Sequence, residues 1–232
     1  MVTEFEKVCY RAYALSEFCP MSFDPKHRWY EWATQIQASV QGALAYSTSD
    51  FEIERCRKLE ALAHEILATY SDTEFAKVQS FFEADAGYST PKVDVRGVVF
   101  NTDGHVLMVR EKIDGKWSLP GGWADLGDSP AEAVVREIRE EAGYIAQATK
   151  LLGIIDRNKS ARMPRAFYIY KVFMRCEIVE HLSDFEENAE TDDVGFFSFD
   201  ELPDLSTARN TYEQMQAISK FWHQPDLDPL FN

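Results

Sequence analysis

Helical periodicity dominates the first third of the chain. Apolar residues recur at spacings of three and four in four stretches, which predicts amphipathic helices. These stretches are 5–15, 29–44, 51–70 and 75–82. Thr3 with Glu6, and Ser71 with Glu74, have the spacing of capping boxes and are expected to begin the first and the last helix. The pattern therefore predicts a small all-helical domain over residues 1–86.

The pattern changes to that of β-strands near Gly87. Residues 93–100 and 106–110 are rich in β-branched and aliphatic side chains and flank a turn at 101–104, which predicts a hairpin. Further strands are expected near 150–156, 166–176 and 194–198, with a final helix at about 207–222. Strands mixed with helices in this order predict an α+β fold for residues 87–232.

One helix within this second region carries clear signals at both ends. Ser129 and Glu132 have capping-box spacing, and Pro130 suits the first helical position. Gly143 fits a left-handed C-terminal stop. The apolar residues of the segment fall on one side and predict a core-facing surface: Ala131, Val134, Val135, Ile138 and Ala142.

Three carboxylates share one region of this helix. Glu137, Glu140 and Glu141 stand at i, i+3 and i+4, so their side chains are neighbours and repel one another. Hard divalent cations, which prefer oxygen ligands, compensate such repulsion. A solvated acidic face is the alternative. The Leu-Pro-Gly-Gly turn at 119–122 and the closing glycine favour the metal site.

The same segment resembles the Nudix box, G-x5-E-x7-R-E-U-x-E-E-x-G-U, where U is a bulky apolar residue. The matching positions are Gly122, Arg136, Glu137, Ile138, Glu140, Glu141 and Gly143. Asp128 replaces the first glutamate, and Tyr144 occupies the final apolar position. The resemblance implies that the three glutamates bind Mg²⁺ or Mn²⁺ and that the Gly122 carbonyl is a further ligand. It also implies that Arg136 pairs with box carboxylates and holds the loop.

The resemblance extends to a particular Nudix branch. Residues 36–47, 88–97, 117–125 and 194–197 resemble hydrolases of X-linked nucleoside diphosphates that carry an N-terminal helical domain. This resemblance implies that a Nudix α/β/α sandwich follows the helical domain. It also implies that the helical domain serves dimerisation or specificity. It also implies a homodimer and hydrolysis of the pyrophosphate bond of a substrate like ADP-ribose or CDP-choline. The products are a nucleoside monophosphate and phosphorylated X.

A later acidic segment offers a general base. The candidates are Glu186, Glu187, Glu190, Asp192 and Asp193, most of which also fit a solvated loop. Glu190 is selected because its offset before Phe197 and Ser198 resembles the position of a later-loop carboxylate in some Nudix enzymes. It is expected to contact the metals as well. A box glutamate is the alternative base.

Residues that contact the substrate are predicted from their places beside strands and the glycine turn. They are Arg96, Arg110, Trp123, Asp156 and Arg157. A structural role, such as a surface ion pair, is the alternative for Arg96 and Arg110, and a core position is the alternative for Trp123. Asp156 and Arg157 belong to a polar cluster after a strand and are expected near the leaving group.

Composition excludes some classes of protein. The net charge is −15, which argues against a nucleic-acid binder because such proteins present basic surfaces. No apolar run reaches the length of a membrane span, and a cytoplasmic enzyme is expected. Two other functions stay open beside X-linked nucleoside diphosphate hydrolysis. One is a nucleotide-pool or RNA-end pyrophosphohydrolase, and the other is a non-catalytic nucleotide sensor.

Overall fold

The structure is a computed structural model that describes residues 28–71, 74–83, 87–157, 168–182 and 188–232. The predicted helix at 5–15, with its cap at Thr3 and Glu6, lies outside the described residues. The described chain falls into two compact units. The first contains residues up to Pro91 together with Tyr168, and the second contains the rest from Lys92 onward.

The described part of the first unit consists of three helices: α1 (Arg28–Tyr46), α2 (Asp50–Ser71) and α3 (Phe75–Glu83). These helices occur where the sequence predicted them. Ala33, Leu67, Val78 and Phe82 form their buried core. The predicted cap at Ser71 is wrong, because Ser71 ends α2 and its hydroxyl donates to the Leu67 carbonyl at 2.5 Å.

In its described residues, the second unit combines two sheets with two helices of 13 and 12 residues. Its elements are β1 (Lys92–Val99), β2 (Val106–Glu111), β3 (Trp117–Ser118), α4 (Pro130–Ala142), β4 (Tyr144–Asp156), β5 (Ile169–His181), β6 (Thr191–Phe197), α5 (Tyr212–His223) and β7 (Leu230–Phe231). The larger sheet has the order β1-β5-β4-β7 and the smaller one β3-β2-β6. The predicted α+β class is confirmed.

The predicted hairpin between β1 and β2 is wrong. β1 pairs in parallel with β5, whereas β2 pairs with β3 and β6 in the other sheet. A single bridge between Phe100 and Val106 joins the two strands. The reason is burial: every residue of β1 from Asp94 to Val99 is buried, so this strand needs cover on both faces.

Each face of β1 belongs to a different core. Val95 packs with Val134 and Ile138 of α4, and Val98 packs with the apolar side of α5. A Cβ at Gly97 would lie 2.7 Å from Ile138 Cδ1, so the missing side chain lets α4 approach the strand closely. This close packing holds α4, the helix that carries the three glutamates, against β1 at the edge of the larger sheet. None of the described helices is long and apolar enough to cross a membrane.

Candidate active site

The Leu-Pro-Gly-Gly turn at 119–122 runs alongside β1. The Gly97 N–H donates to the Pro120 carbonyl and the Val95 N–H to the Gly122 carbonyl, both at 2.8 Å. Gly121 has φ +145°, and a Cβ there would lie 2.0 Å from the Val95 carbonyl oxygen. Only glycine fits so close to the strand. The turn is therefore held in place by backbone contacts.

Local signals set the ends of α4 as the sequence predicted. Ser129 and Glu132 form both hydrogen bonds of the capping box, and Gly143 adopts the left-handed conformation with φ 73°. Glu137 and Glu141 lie within the buried surface of this helix, between apolar neighbours, and are 9% and 5% exposed. The Gly121 N–H donates to Glu141 Oε2 at 2.7 Å. The helix thus aims two carboxylates at the turn, with Glu140 on its outer side.

Burial makes these two carboxylates unfavourable as isolated anions. It raises the pKa of Glu137 despite the opposing charge of Arg136. It also raises the pKa of Glu141, to about 8, with further repulsion from Glu111. Buried carboxylates retain their charge when cations or hydrogen-bond donors compensate it. A positive charge beside Glu137 and Glu141 would therefore stabilise their ionised forms.

Arg136 joins the acidic residues around the turn. Its guanidinium lies 3.3 Å from Asp125 Oδ2, 3.2 Å from Asp128 Oδ2, 2.9 Å from Glu137 Oε1 and 3.4 Å from Glu140 Oε2. The short side chain of Asp128 therefore still reaches the arginine from the position where the box has glutamate. These contacts agree with the predicted role in holding the loop.

The structure brings the segment of Glu190 to the C-terminal end of α4. Asn188 Nδ2 donates to the Glu140 carbonyl at 2.9 Å, and the Thr191 hydroxyl donates to the Glu141 carbonyl at 3.2 Å. Glu190 lies between these two anchors with its side chain exposed. Glu186 and Glu187, the other early candidates of this segment, lie outside the described residues.

The donor set suits a hard divalent cation, since it offers carboxylate and carbonyl oxygens. In the described part of the chain, no three His, Cys, Asp or Glu side chains are already arranged around one metal position. Glu137 binds Arg136, Glu141 binds the Gly121 N–H, and the Gly122 carbonyl accepts the Val95 N–H. Each of these groups accepts one of these hydrogen bonds and has further lone pairs that an ion would use.

Arg96 occupies a different environment from the one expected of a phosphate ligand at the surface. It is 2% exposed, and its guanidinium donates to Asp94 at 2.8 Å and to the Leu119 carbonyl at 3.1 Å. The ion pair predicted as its alternative is present, but it is buried. The charge of Asp94 keeps the pKa of Arg96 above its usual value despite the burial.

The other predicted substrate residues lie in two places. Arg110 on β2 pairs with Asp192 at 2.6 Å, and Trp123 is 45% exposed beside the turn. Asp156 is the last residue of β4 and Arg157 follows it. The Arg157 guanidinium donates to the Ala208 carbonyl at 2.8 Å. β4 is separated from β1 by β5, a spacing of about 10 Å. The end of β4, with Asp156 and Arg157, is therefore not on a strand next to β1, which runs beside the glycine turn.

Five polar residues near the turn were not among the predicted site residues: the charged Asp94, Glu111, Lys171 and Arg209, and the neutral Asn210. All but Arg209 are buried, and Arg209 Nη2 donates to Glu111 Oε2 at 3.2 Å. The sequence does contain a signal for Lys171. It is a charged residue within a largely apolar strand, where burial of an unpaired charge is costly, so a partner is expected. No local signal exists for Asn210, because its bond to the Leu119 N–H spans 91 residues.

Family models match both units of the chain. The NUDIX domain matches residues 90–217, and the UDP-X-like, N-terminal oligomerisation domain matches residues 27–82. The chain belongs to the Nudix family. It is a hydrolase, so the non-catalytic sensor is not the function of this chain.

Relatives of this Nudix hydrolase include enzymes and solved structures. YjhB of Bacillus subtilis (strain 168), whose name provisionally assigns it as an ADP-ribose pyrophosphatase, is 39% identical over 88% of this chain and 97% of its own. A UDP-X diphosphatase structure is 28% identical, with a TM-score of 0.57 over 89% of this chain and 99% of that one. An ADP-ribose pyrophosphatase of Streptococcus suis 89-1591 is 36% identical, with a TM-score of 0.55 over 62% and 100%.

Proposed function

We propose that this Nudix hydrolase cleaves the pyrophosphate bond of a nucleoside diphosphate linked to a second group X, of the ADP-ribose or CDP-choline type. The observation that carries the proposal is the pair of buried carboxylates, Glu137 and Glu141, facing the Gly121–Gly122 turn. The similarity to YjhB and to a UDP-X diphosphatase supports the substrate class. Water adds to one phosphorus, the anhydride bond breaks, and a nucleoside monophosphate and phosphorylated X leave.

The proposed metal ligands are Glu137, Glu140, Glu141 and Glu190, with the Gly122 carbonyl, and the proposed ion is Mg²⁺ or Mn²⁺. Such an ion neutralises phosphate oxygens and lowers the pKa of water. Arg136 holds Glu137 and Glu140 on one side of the turn through its ion pairs. Glu190 accepts the proton of the attacking water from its place beside the end of α4.

A substrate panel tests this function. ADP-ribose, CDP-choline, NADH, dinucleoside polyphosphates, oxidised dNTPs and 5′-triphosphate RNA are incubated with Mg²⁺ or Mn²⁺, and products are separated by chromatography. We expect preferential cleavage of ADP-ribose or CDP-choline to the monophosphates AMP or CMP. Faster turnover of oxidised dNTPs or RNA ends would reject the substrate class and favour the nucleotide-pool or RNA-end alternative.

The proposed general base gives the first prediction. Glu190→Gln is expected to lower kcat about 10²-fold, because a positioned base contributes roughly 10²–10⁴-fold. The fold should remain intact because the Glu190 side chain is exposed. Steady-state kinetics on ADP-ribose and CDP-choline, with Glu180→Gln as an exposed carboxamide control, measure the effect. Near-normal turnover of Glu190→Gln rejects this base.

We propose that residues 1–86 form a domain through which two copies of the chain associate. The name of the matched model, an oligomerisation domain, supports this role. Four large apolar side chains are exposed on α2: Phe51, Leu59, Leu62 and Tyr70, at 79%, 47%, 47% and 64%. Their spacing places them within an arc of about 100° on the helix, an apolar stripe in which Arg55 also lies. A second copy is the proposed partner for this stripe.

Charges placed on the stripe test the homodimer. The pair Leu59→Glu and Leu62→Glu is expected to convert the dimer to a monomer, because each copy of the interface then buries two uncompensated carboxylates. Light scattering after size-exclusion chromatography measures the mass. Gln216→Glu with Lys220→Glu, both exposed on α5, is the matched control and should stay dimeric. A wild-type monomer, or a dimer that survives the stripe variant, contradicts this interface.

A further inference from the structure

The side-chain amide of Asn188 uses its full hydrogen-bonding capacity two residues before Glu190. Its Oδ1 accepts the backbone N–H groups of Glu190 and Thr191, both at 2.8 Å. Its Nδ2 donates to the Glu140 carbonyl at 2.9 Å and to the Thr191 hydroxyl at 2.7 Å. An asparagine amide offers two acceptor lone pairs and two N–H donors, so these bonds leave none of them free. One side chain thus joins the turn that contains Glu190 to the end of α4.

The bonds to α4 satisfy backbone groups that a helix leaves open at its end, because its last four carbonyls have no partner within it. The Glu140 carbonyl accepts Asn188 Nδ2. The Glu141 carbonyl accepts the Thr191 hydroxyl at 3.2 Å. Glu140 and Glu141 are also two of the proposed metal ligands. The segment of Glu190 is therefore attached to the same helical turn that carries these ligands.

The end of β2 holds this segment through further bonds. The N–H of Lys112, directly after β2, donates to the Glu190 carbonyl at 2.9 Å, and the Lys112 ammonium donates to the Asn188 carbonyl. The Asn188 N–H donates to the Thr191 carbonyl at 3.1 Å. The backbone N–H and carbonyl of Glu190 are thus both bonded, while its side chain is exposed. The Glu190 carboxylate therefore projects from a backbone that is fixed on both sides.

We propose that Asn188 is a positioning residue for the hydrolysis, which holds the Glu190 carboxylate in place relative to the ligands on α4. The inference rests on the proposed function, in which Glu190 takes the proton of the attacking water. A base must lie within hydrogen-bond reach of that proton, and a displacement of about 1 Å costs about 10²-fold in rate. Loss of the Asn188 amide leaves the Glu190 N–H without its acceptor and frees the turn from the Glu140 carbonyl. The cost should fall on kcat rather than on substrate binding.

Kinetics of single and double variants test the positioning. Asn188→Ala should lower kcat for ADP-ribose and CDP-choline at least about tenfold and change KM less than about twofold. In the Glu190→Gln background the same substitution should change kcat less than about twofold, because the group that Asn188 positions is already lost. Asn101→Ala is the matched control and should keep the wild-type kcat. Asn101 Oδ1 also accepts two backbone N–H groups, those of Asp103 and His105, but at the opposite end of β2, about 20 Å along the strand.

Amide hydrogen exchange tests the same role without substrate. Exchange at Glu190 and Thr191, followed by NMR on the full-length protein, should be about five- to tenfold faster in Asn188→Ala, the effect of losing one hydrogen bond. If Asn188→Ala does not fold, Asn188→Asp replaces it in the kinetic test. Aspartate keeps the shape and the Oδ1 acceptor but loses both donors, so kcat should fall in the same way.

Three results overturn the positioning role and leave the hydrolase function standing. They are an unchanged kcat in the folded Asn188 variant, an undiminished further loss of kcat in the Glu190→Gln background, and unchanged exchange at both amides. Near-normal turnover of Glu190→Gln rejects the base and the positioning role together. No hydrolysis by the wild type rejects the proposed function itself, and the exchange rates then still decide whether Asn188 holds this segment to α4.

Discussion

Replacing Glu141 by Gln is expected to lower kcat by about 10³-fold or more. The side chain is 5% exposed, and its carboxylate faces the turn that leads to the proposed metal position. Metal ions supply several kcal/mol of transition-state stabilisation, and each 1.36 kcal/mol is a factor of ten in rate. Glutamine keeps the shape and the acceptor for the Gly121 N–H but has no charge to hold the ion. Stopped assays on ADP-ribose and CDP-choline with Mg²⁺ measure the loss.

The folded state of the same variant provides a second readout. Burial raises the pKa of Glu141 to about 8, so a neutral side chain is favourable at this position when no metal compensates. Glu141→Gln should therefore unfold at the same temperature as the wild type in EDTA, or at a higher one. It should also lose the stabilisation that Mg²⁺ gives the wild type. Glu180→Gln, an exposed change on β5, should retain both activity and the Mg²⁺ effect. Normal turnover of Glu141→Gln contradicts its assignment as a ligand.

Replacing Gly121 by Ala is expected to destabilise the fold by about 2–6 kcal/mol. The added Cβ would lie 2.0 Å from the Val95 carbonyl oxygen, which is backbone and cannot rotate away. Overpacking costs roughly 1–3 kcal/mol, and a strained backbone conformation costs roughly 1–3 kcal/mol more. The turn must move off β1, which also separates the Gly121 N–H from Glu141. Denaturant unfolding and the turnover of substrate report the two effects.

Gly115 offers the matched control for this change. Its φ is +69°, also in the left-handed region, but a Cβ there meets nothing within 4 Å. Gly115→Ala should therefore cost only the backbone strain, about 1–3 kcal/mol, and leave turnover intact. Equal destabilisation by the two substitutions would show that the close approach of the turn to β1 is not what fixes Gly121.

Local signals in the sequence were sufficient for the elements that depend on neighbours in the chain. The cap at Ser129 and the stop at Gly143 act within a few residues, and the structure contains both at the predicted positions. The last helix, predicted from about residue 207, begins at Tyr212. The Nudix box is equally local. Its Arg136 forms the ion pairs that the resemblance implied, and its Glu137 and Glu141 face the glycine turn.

Long-range packing accounts for what the sequence did not show. A strand, a turn and a second strand predict a hairpin, but β1 is buried on both faces and pairs instead with β5, 77 residues later. The partners of Arg96 also depend on long-range packing. One is Asp94 on its own strand, and the other is the Leu119 carbonyl of the turn beside that strand. Asn210 reaches Leu119 because the segment before α5 lies beside β3, where the Ser206 N–H donates to the Trp117 carbonyl at 2.8 Å. Such contacts leave no periodicity in the chain.

The most direct test of the account is hydrolysis of ADP-ribose and CDP-choline by the wild-type protein, followed by ³¹P NMR with Mg²⁺ and then with excess EDTA. We predict that the diphosphate signals of at least one substrate are replaced by two phosphomonoester signals when Mg²⁺ is present. Chelation should stop the reaction, and Glu141→Gln should not perform it. Cleavage that continues in EDTA, or that Glu141→Gln carries out at the wild-type rate, would contradict a metal-dependent pyrophosphatase built on the carboxylates of α4.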